Sequence, residues 1–428
     1  MLIDSIWDWN PWWEKSESIS GFVGHPREEL SQLITSLDDS KVTIISGVRR
    51  AGKTTLMYQM IAYLLESGVN PINILFLGLE DPAFVEHDLT TLITEYRKEH
   101  TPKGKIYLFL DEIQSKDDWE RIIRKEIDTR KESKVIISGS SSTLLSGKHS
   151  AILTGRNLTY LIYPLSFKSF LSFMGEQIST VNLRGRSAER VSGLLRRYLD
   201  IGGFPEIVLQ DEVHRRATLN QYFNDIIYRD IIHLQSANPR KVYTLASYLL
   251  LNVGNTITLS SLRRALGLSY DAIRDYLHYL EQARLFYFAK EFTFSPKPVP
   301  AKVGKMKVYC TDIGMARAVH GRHSRDYGRF AENAVYLKLL TEGLAPGFFR
   351  GRKEIDFLAV TPDNIVFLVN VTMTDKIPKR EFDGINEFIE KYPRSQTESI
   401  ILTEGLYDEV SGIKLMPLWK WLISELEL

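Results

Sequence analysis

Gly47-Val48-Arg49-Arg50-Ala51-Gly52-Lys53-Thr54 is the stretch that decides the fold of this 428-residue chain. It fits G-x-x-x-x-G-K-T without a mismatch. The apolar run Val42-Thr43-Ile44-Ile45 precedes it and reads as a strand, and Thr55 to Leu65 follows as an amphipathic helix. In that context the eight residues form a loop that cradles phosphate. Gly47 and Gly52 let the backbone turn its N–H groups inward around phosphate oxygens. The helix amino terminus adds partial positive charge at the same spot. Lys53 is suited to reach the β and γ phosphates, and the Thr54 hydroxyl to sit on Mg²⁺. Arg49 and Arg50 add charge to the loop, and Ala51 and Thr55 complete the expected nucleotide-binding set.

Short apolar runs extend the pattern on both sides. Ile74–Leu79, Tyr107–Leu110, Val135–Ser138 and Leu158–Tyr163 read as buried strands alternating with helical stretches, which implies a parallel sheet covered on both faces. The run at Tyr107 ends in Asp111-Glu112. Ionised carboxylates beside an apolar core need a reason. Asp111 is suited to hold Mg²⁺, and Glu112 to polarise an attacking water. Serines cluster after the next strand, and among Ser138, Ser140 and Ser141 the reading favours Ser140 as the hydroxyl near the γ-phosphate. Arg156, just before the fifth strand, is a candidate to reach the γ-phosphate of a neighbouring subunit.

Composition limits the class. Hydrophobic residues are 44% and charged residues 25% of the chain, as in ordinary soluble globular proteins. No apolar run is long enough to span a bilayer. One cysteine, Cys310, excludes an internal disulfide and a four-cysteine zinc site. The amino terminus lacks a secretory pattern, so a cytoplasmic location is expected. The net charge of +1 hides an asymmetry. Between Ser236 and Gly328 there are 14 basic and 6 acidic residues, a local excess that suits a polyanion.

These residues together resemble the AAA+ class of P-loop ATPases. They are similar, more narrowly, to an archaeal and bacterial ATPase family with a nuclease-like carboxy-terminal half. The resemblance rests on Gly47 to Thr55, Leu110-Asp-Glu-Ile-Gln114, Ser138-Gly-Ser-Ser141, Gly155-Arg156, Pro164-Leu-Ser-Phe167 and Gly202-Gly-Phe-Pro-Glu206. It implies an α/β fold with an ATPase core with its amino-terminal lead-in at 1–185, a helical lid at 186–235, a winged helix at 236–327 and a restriction-endonuclease-like end domain at 328–428.

The middle segment also reads this way from its own residues. A helix closing at Gly267 is followed by a second from Tyr270 to Ala283, whose Ile273, Leu277 and Leu280 share one face. A hairpin starting at Leu285 and returning at Lys307–Cys310 would form the wing. Tyr270 and Arg274 would then face DNA, and Lys297, Lys302, Lys305 and Lys307 would contact phosphates. Asp271 and Asp275 on the same helix count against this reading.

The end segment resembles the PD-(D/E)XK nuclease arrangement, in which helix and strand acids bind Mg²⁺ beside a lysine. Glu332 and Asp356 match. Asn370 stands where the second strand acid should be, and Thr372 where the lysine should be. A nuclease fold with a disabled site is expected.

The sequence thus predicts an ATPase with ATP and Mg²⁺ as cofactors, acting on or near double-stranded DNA. A homo-oligomer and a protein partner at the end domain are further expectations; no membrane role is. The alternative is a slow nucleotide-dependent signalling switch with a protein partner.

Overall fold

The computed structural model describes residues 2–140, 153–176, 185–232, 237–292, 304–320 and 327–425. The chain divides into two compact units, Met1–Tyr163 and Pro164–Leu428.

The first unit is built on five parallel strands. They are β1 (Val42–Gly47), β2 (Ile74–Gly78), β3 (Ile106–Asp111), β4 (Ser133–Ser140) and β5 (Asn157–Ile162), in the order β2-β3-β4-β1-β5. Every residue of β1 to β4 is buried, as a parallel sheet covered on both faces requires. The fifth strand departs from expectation. It lies at an edge, and only Ile162 of it is buried. The helix Lys53–Glu66 starts directly after the phosphate loop.

The other edge strand, β2, is sealed by the tryptophan-rich lead-in. The Asn10 side chain accepts from the Phe76 N–H at 2.7 Å and donates to the Phe76 carbonyl at 2.9 Å. It acts as a one-residue strand. Trp13 Nε1 donates to the Ile74 carbonyl at 2.9 Å, and Trp12 Nε1 to the same oxygen at 3.3 Å. An edge strand left open would be a template for foreign pairing; here its carbonyls are occupied. Gly78 is required by this packing, since a Cβ there would fall 2.6 Å from the Trp9 ring.

The second unit opens with the helices Phe167–Phe173, Arg186–Ile201, Pro205–Leu209 and Glu212–Asp225, the last running into a π-helical turn at Ile226–Ile232. Two motifs of the sequence meet here. Leu165 N–H donates to the Gly203 carbonyl at 2.7 Å, and a Cβ on Gly203 would strike the Leu165 carbonyl oxygen. Gly202 has φ +79, and a Cβ on it would sit 2.1 Å from Asp312 Oδ1. Asp312 Oδ2 in turn accepts from the Gly203 N–H at 2.6 Å. Burial pushes the Asp312 carboxyl up to about 6, against the pull of the backbone N–H groups of Gly203, Met315, Gly314 and Phe204. The Gly-Gly-Phe-Pro sequence is therefore a seat for a buried carboxylate.

The helices Leu259–Leu266 and Tyr270–Gln282 follow. A Thr258–Ser261 capping box starts the first, and Gly267 at φ +66 ends it. The strands β6 (Thr256–Ile257), β7 (Phe286–Lys290) and β8 (Met306–Cys310) form an antiparallel sheet in the order β6-β8-β7. The rest of the unit is a six-stranded mixed sheet. It comprises β9 (Gly347–Arg350), β10 (Glu354–Val360), β11 (Val366–Val371), β12 (Thr397–Thr403), β13 (Asp408–Val410) and β14 (Ile413–Pro417), ordered β13-β14-β12-β11-β10-β9. Helices Tyr327–Thr341, Lys379–Lys391 and Leu418–Ile423 accompany it. Trp419 and Trp421 are buried. No helix among the described residues is long and apolar enough to cross a membrane.

Candidate nucleotide site and the charged cluster of the end domain

The carboxyl ends of β1, β3 and β4 bring the expected nucleotide residues together. Thr54 Oγ1 donates to Asp111 Oδ2 at 2.7 Å. Lys53 Nζ donates to the carbonyls of Gly47 and Val48, each at 3.2 Å, so its ammonium lies over the loop. Gly52 has φ +96, as a phosphate loop turning into a helix demands. Gly47 is glycine for a different reason. It pairs with Ile162 of β5, and a Cβ there would collide with the Ile162 carbonyl oxygen at 2.2 Å. Arg50 is exposed with φ +69, while Arg49 bonds Glu80 at 3.1 Å. Ala51 is fully buried, and Thr55 is half-buried in the first turn of the helix Lys53–Glu66.

The two acids sit in different electrostatic states. Burial, and then the neighbouring Glu112 charge, push Asp111 up to about 6, offset in part by the hydroxyls of Ser138 and Thr54 and by Lys53. Burial would raise Glu112 too, but Lys53, the Gln114 amide and Arg49 hold it below the usual carboxylate range. Glu112 adopts a left-handed conformation, φ +53, and Gln114 Nε2 donates to it at 2.5 Å. A non-glycine residue held there is a strained backbone position of the kind found at reacting centres.

The serine that touches the two acids is Ser138. Ser138 Oγ donates to Asp111 Oδ1 and accepts from the Glu112 N–H at 3.2 Å. Ser140 lies opposite Gly47 on the neighbouring strand and is buried beside the loop. Ser141 lies outside the described residues. Ser138 and Ser140 share one face of β4; Ser138 meets Asp111 because it lies two residues before the strand end, one past Ile137, the partner of Leu110 on β3. Arg156 stands at the other end of the sheet from the loop, since Val42 pairs with Asn157 while Gly47 pairs with Ile162. It bonds Asp128 at 3.2 Å and is exposed. It is not aimed at its own chain's phosphate site.

Sequence reasoning missed Arg27. Its guanidinium donates to the Ala51 carbonyl at 2.8 Å and to the Tyr163 carbonyl at 3.0 Å while pairing with Glu29. It thereby pins the phosphate loop to the end of β5. No local motif marks it.

In the second unit Tyr270 is half-buried, under the Arg263 guanidinium at 4.9 Å. Arg274 and Lys305 are exposed, with Arg274 3.7 Å from Asp271. Lys297 and Lys302 lie outside the described residues. Lys307 corrects the sequence reading. It is 3% exposed and cannot contact a phosphate backbone. Alternation along β8 puts Lys307 and Tyr309 on one face, and Tyr309 stacks on Tyr336 of the helix Tyr327–Thr341 at 4.3 Å.

Lys307 Nζ instead lies 2.9 Å from Glu354, 3.1 Å from Asp356 and 3.4 Å from Glu332. Burial would lower its pKa, but Asp356, Tyr309, Glu332 and Glu354 hold it well above the ordinary value. Burial and the Asp356 charge push Glu332 up to about 8. Asn370, expected only as a lost acid, has its own work. Its Oδ1 accepts from the Asp356 N–H at 3.0 Å and its Nδ2 donates to the Glu381 carbonyl at 2.9 Å. Thr372 is buried, and its N–H pairs with the Leu402 carbonyl.

Residues 39–171 match the family model described as AAA domain, and residues 192–326 match a domain of unknown function. An uncharacterized protein of Haemophilus influenzae is 31% identical over 412 residues, covering 92% of this chain and 97% of its own. An uncharacterized protein of Methanocaldococcus jannaschii is 29% identical over 405 residues, covering 90% of this chain and 89% of its own. Among solved structures, a Walker-type ATPase of Pyrococcus abyssi aligns with TM-score 0.45 at 16% identity, over 69% of this chain and 95% of that one.

Proposed function

This chain belongs to one family with the Haemophilus influenzae protein and carries an AAA domain at residues 39–171; on that premise we propose that it is an Mg²⁺-dependent ATPase acting on or near double-stranded DNA. The observation that carries the ATPase reading is the 2.7 Å bond from Thr54 to Asp111 below a loop whose lysine is already turned over it. A hydroxyl and a carboxylate are hard oxygen donors that suit Mg²⁺.

When bound, Mg²⁺ would neutralise charge on the terminal phosphates. Thr54 and Asp111 are the residues that would hold it. Lys53 would leave the loop carbonyls for phosphate oxygens, and the backbone N–H groups of Arg49 to Thr54 would bind the rest. Glu112, kept ionised by Lys53, Gln114 and Arg49, is a base able to accept a hydrogen bond from an attacking water. Ser138 orients both acids. Arg156 would act only on a neighbouring subunit's nucleotide, which requires a homo-oligomer.

We read residues 236–327 as a winged helix. The helix pair, the three-stranded sheet and the exposed Arg263, Arg264, Arg274 and Lys305 support that reading. They also support DNA as partner, since exposed cations beside a helix amino terminus suit phosphates. The end domain is read as a nuclease-like fold without nuclease activity, available for partner binding.

The test is steady-state ATP hydrolysis with and without double-stranded DNA. Lys53→Ala should abolish turnover; unchanged turnover would remove the site assignment. Several-fold stimulation by DNA supports the DNA reading, whereas slow turnover indifferent to DNA would favour a nucleotide-dependent switch.

A further inference from the structure

The arrangement of Glu332 and Asp356 resembles that of metal-dependent nucleases, so a divalent cation between them is the natural expectation. The residues present do not fit one. The ammonium of Lys307 already lies among Glu354, Asp356 and Glu332, between 2.9 and 3.4 Å from an oxygen of each. An ammonium has three protons to donate, and the carboxyl groups of Glu354, Asp356 and Glu332 face it. The remaining oxygen of Asp356 accepts from the Val371 N–H at 2.9 Å. Asn370, in the position of a further acid, spends both ends of its amide on the protein itself. Among the described residues no group of three or more His, Cys, Asp or Glu side chains is placed to hold a metal ion.

We propose that Lys307 is the resident cation of this cluster, closing it to divalent metal and fastening β8 to the end domain. Lysine reaches the cluster from a different sheet, the β6-β8-β7 sheet, whereas the acids come from the helix Tyr327–Thr341 and from β10. The ion pairs therefore join two segments far apart in sequence. Burying an ammonium is costly unless it is well paired, and Lys307 meets that condition only while the end domain is docked on β8. Tyr309, fully buried on the same face, stacks on Tyr336 and packs on Phe357 at 5.5 Å, so an apolar contact backs the ionic one. A metal ion would have to expel the lysine and break all three pairs. This inference concerns β8 and the end domain and stands whether or not the chain hydrolyses ATP.

The experiment is calorimetric titration of Mn²⁺, without nucleotide, into the full chain and into Asp356→Asn, Lys307→Met and the double variant. Mn²⁺ binding at the phosphate loop is common to all four and cancels in the comparison. The expected result is that wild type and Asp356→Asn bind alike, while Lys307→Met lowers the unfolding temperature and gains a Mn²⁺ site that the double variant lacks. A Mn²⁺ site in the wild type that Asp356→Asn removes would overturn the proposal. So would a Lys307→Met chain whose unfolding temperature is unchanged. Should Lys307→Met fail to fold, the wild-type and Asp356→Asn titrations decide alone.

Discussion

Two hydroxyls converge on Asp111, one from Thr54 and one from Ser138. Only the first belongs to the nucleotide motif, yet the second also receives the Glu112 N–H. Ser138 should therefore act on turnover more than on binding. Ser138→Ala is expected to lower kcat by about tenfold or more, roughly 1.4 kcal/mol of barrier per tenfold, with a smaller change in KM. Ser140→Ala should do less; equal losses in the two variants would remove the distinction. Asn370 makes the parallel case in the end domain. Read from sequence it is a missing acid; in the fold it donates to the Glu381 carbonyl, which no carboxylate could do. Asn370→Asp should not restore metal binding. It should cost about 2–3 kcal/mol of stability by leaving a buried carbonyl unpaired and adding a buried charge, measurable by denaturant unfolding. The sequence named Lys53, Thr54, Asp111 and Glu112 at one site and Glu332 and Asp356 at the other; it missed Arg27 and Glu354 and misplaced Lys307. The partners were not legible, because they come from strands and helices whose register no local pattern specifies.

At the scale of elements, motifs with a local mechanism were readable. The phosphate loop, the strand ending in Asp111-Glu112 and the helix capped by Thr258 follow from neighbours a few residues apart. Long-range devices were not. Asn10 closes the edge of β2 across 66 residues, and nothing near Asn10 announces it. Asn10→Ala should cost about 1–3 kcal/mol, from the two bonds to Phe76, the bond to the Ile6 carbonyl and an opened edge. Amide exchange at Phe76 should accelerate while that at Ile44 in the sheet centre should not. Asp312, seated on Gly202-Gly203, carries a pH signature. Its folded pKa of about 6 is raised from 3.8. The stabilisation from its proton is therefore full below the unfolded value and is lost as pH rises through about 6. The second unit should lose up to ~3 kcal/mol across that window from this group. Asp312→Asn should flatten this part of the stability profile; an unflattened profile would assign the titration elsewhere.

Over the whole molecule the sequence showed charge as a run along the chain, with the excess between Ser236 and Gly328. The fold sorts that run into two kinds of cation. Lys307 is consumed internally by three carboxyl groups, and its neighbour Lys305, two residues away, is exposed. Linear charge could not separate them, since both lie in one short basic stretch. The separation has a consequence for the proposed DNA contact. Arg274→Glu with Lys305→Glu should weaken duplex binding and reduce its dependence on salt by about one unit of slope per lost phosphate contact, leaving DNA-free ATP hydrolysis intact. Lys307→Met should leave the salt slope unchanged, because a lysine buried among acids releases no counterion on binding. Fluorescence anisotropy of a labelled duplex over a salt series measures both. Equal slopes for wild type and the double variant would mean that this surface does not meet DNA, and the exposed cations would then be available for an acidic protein partner.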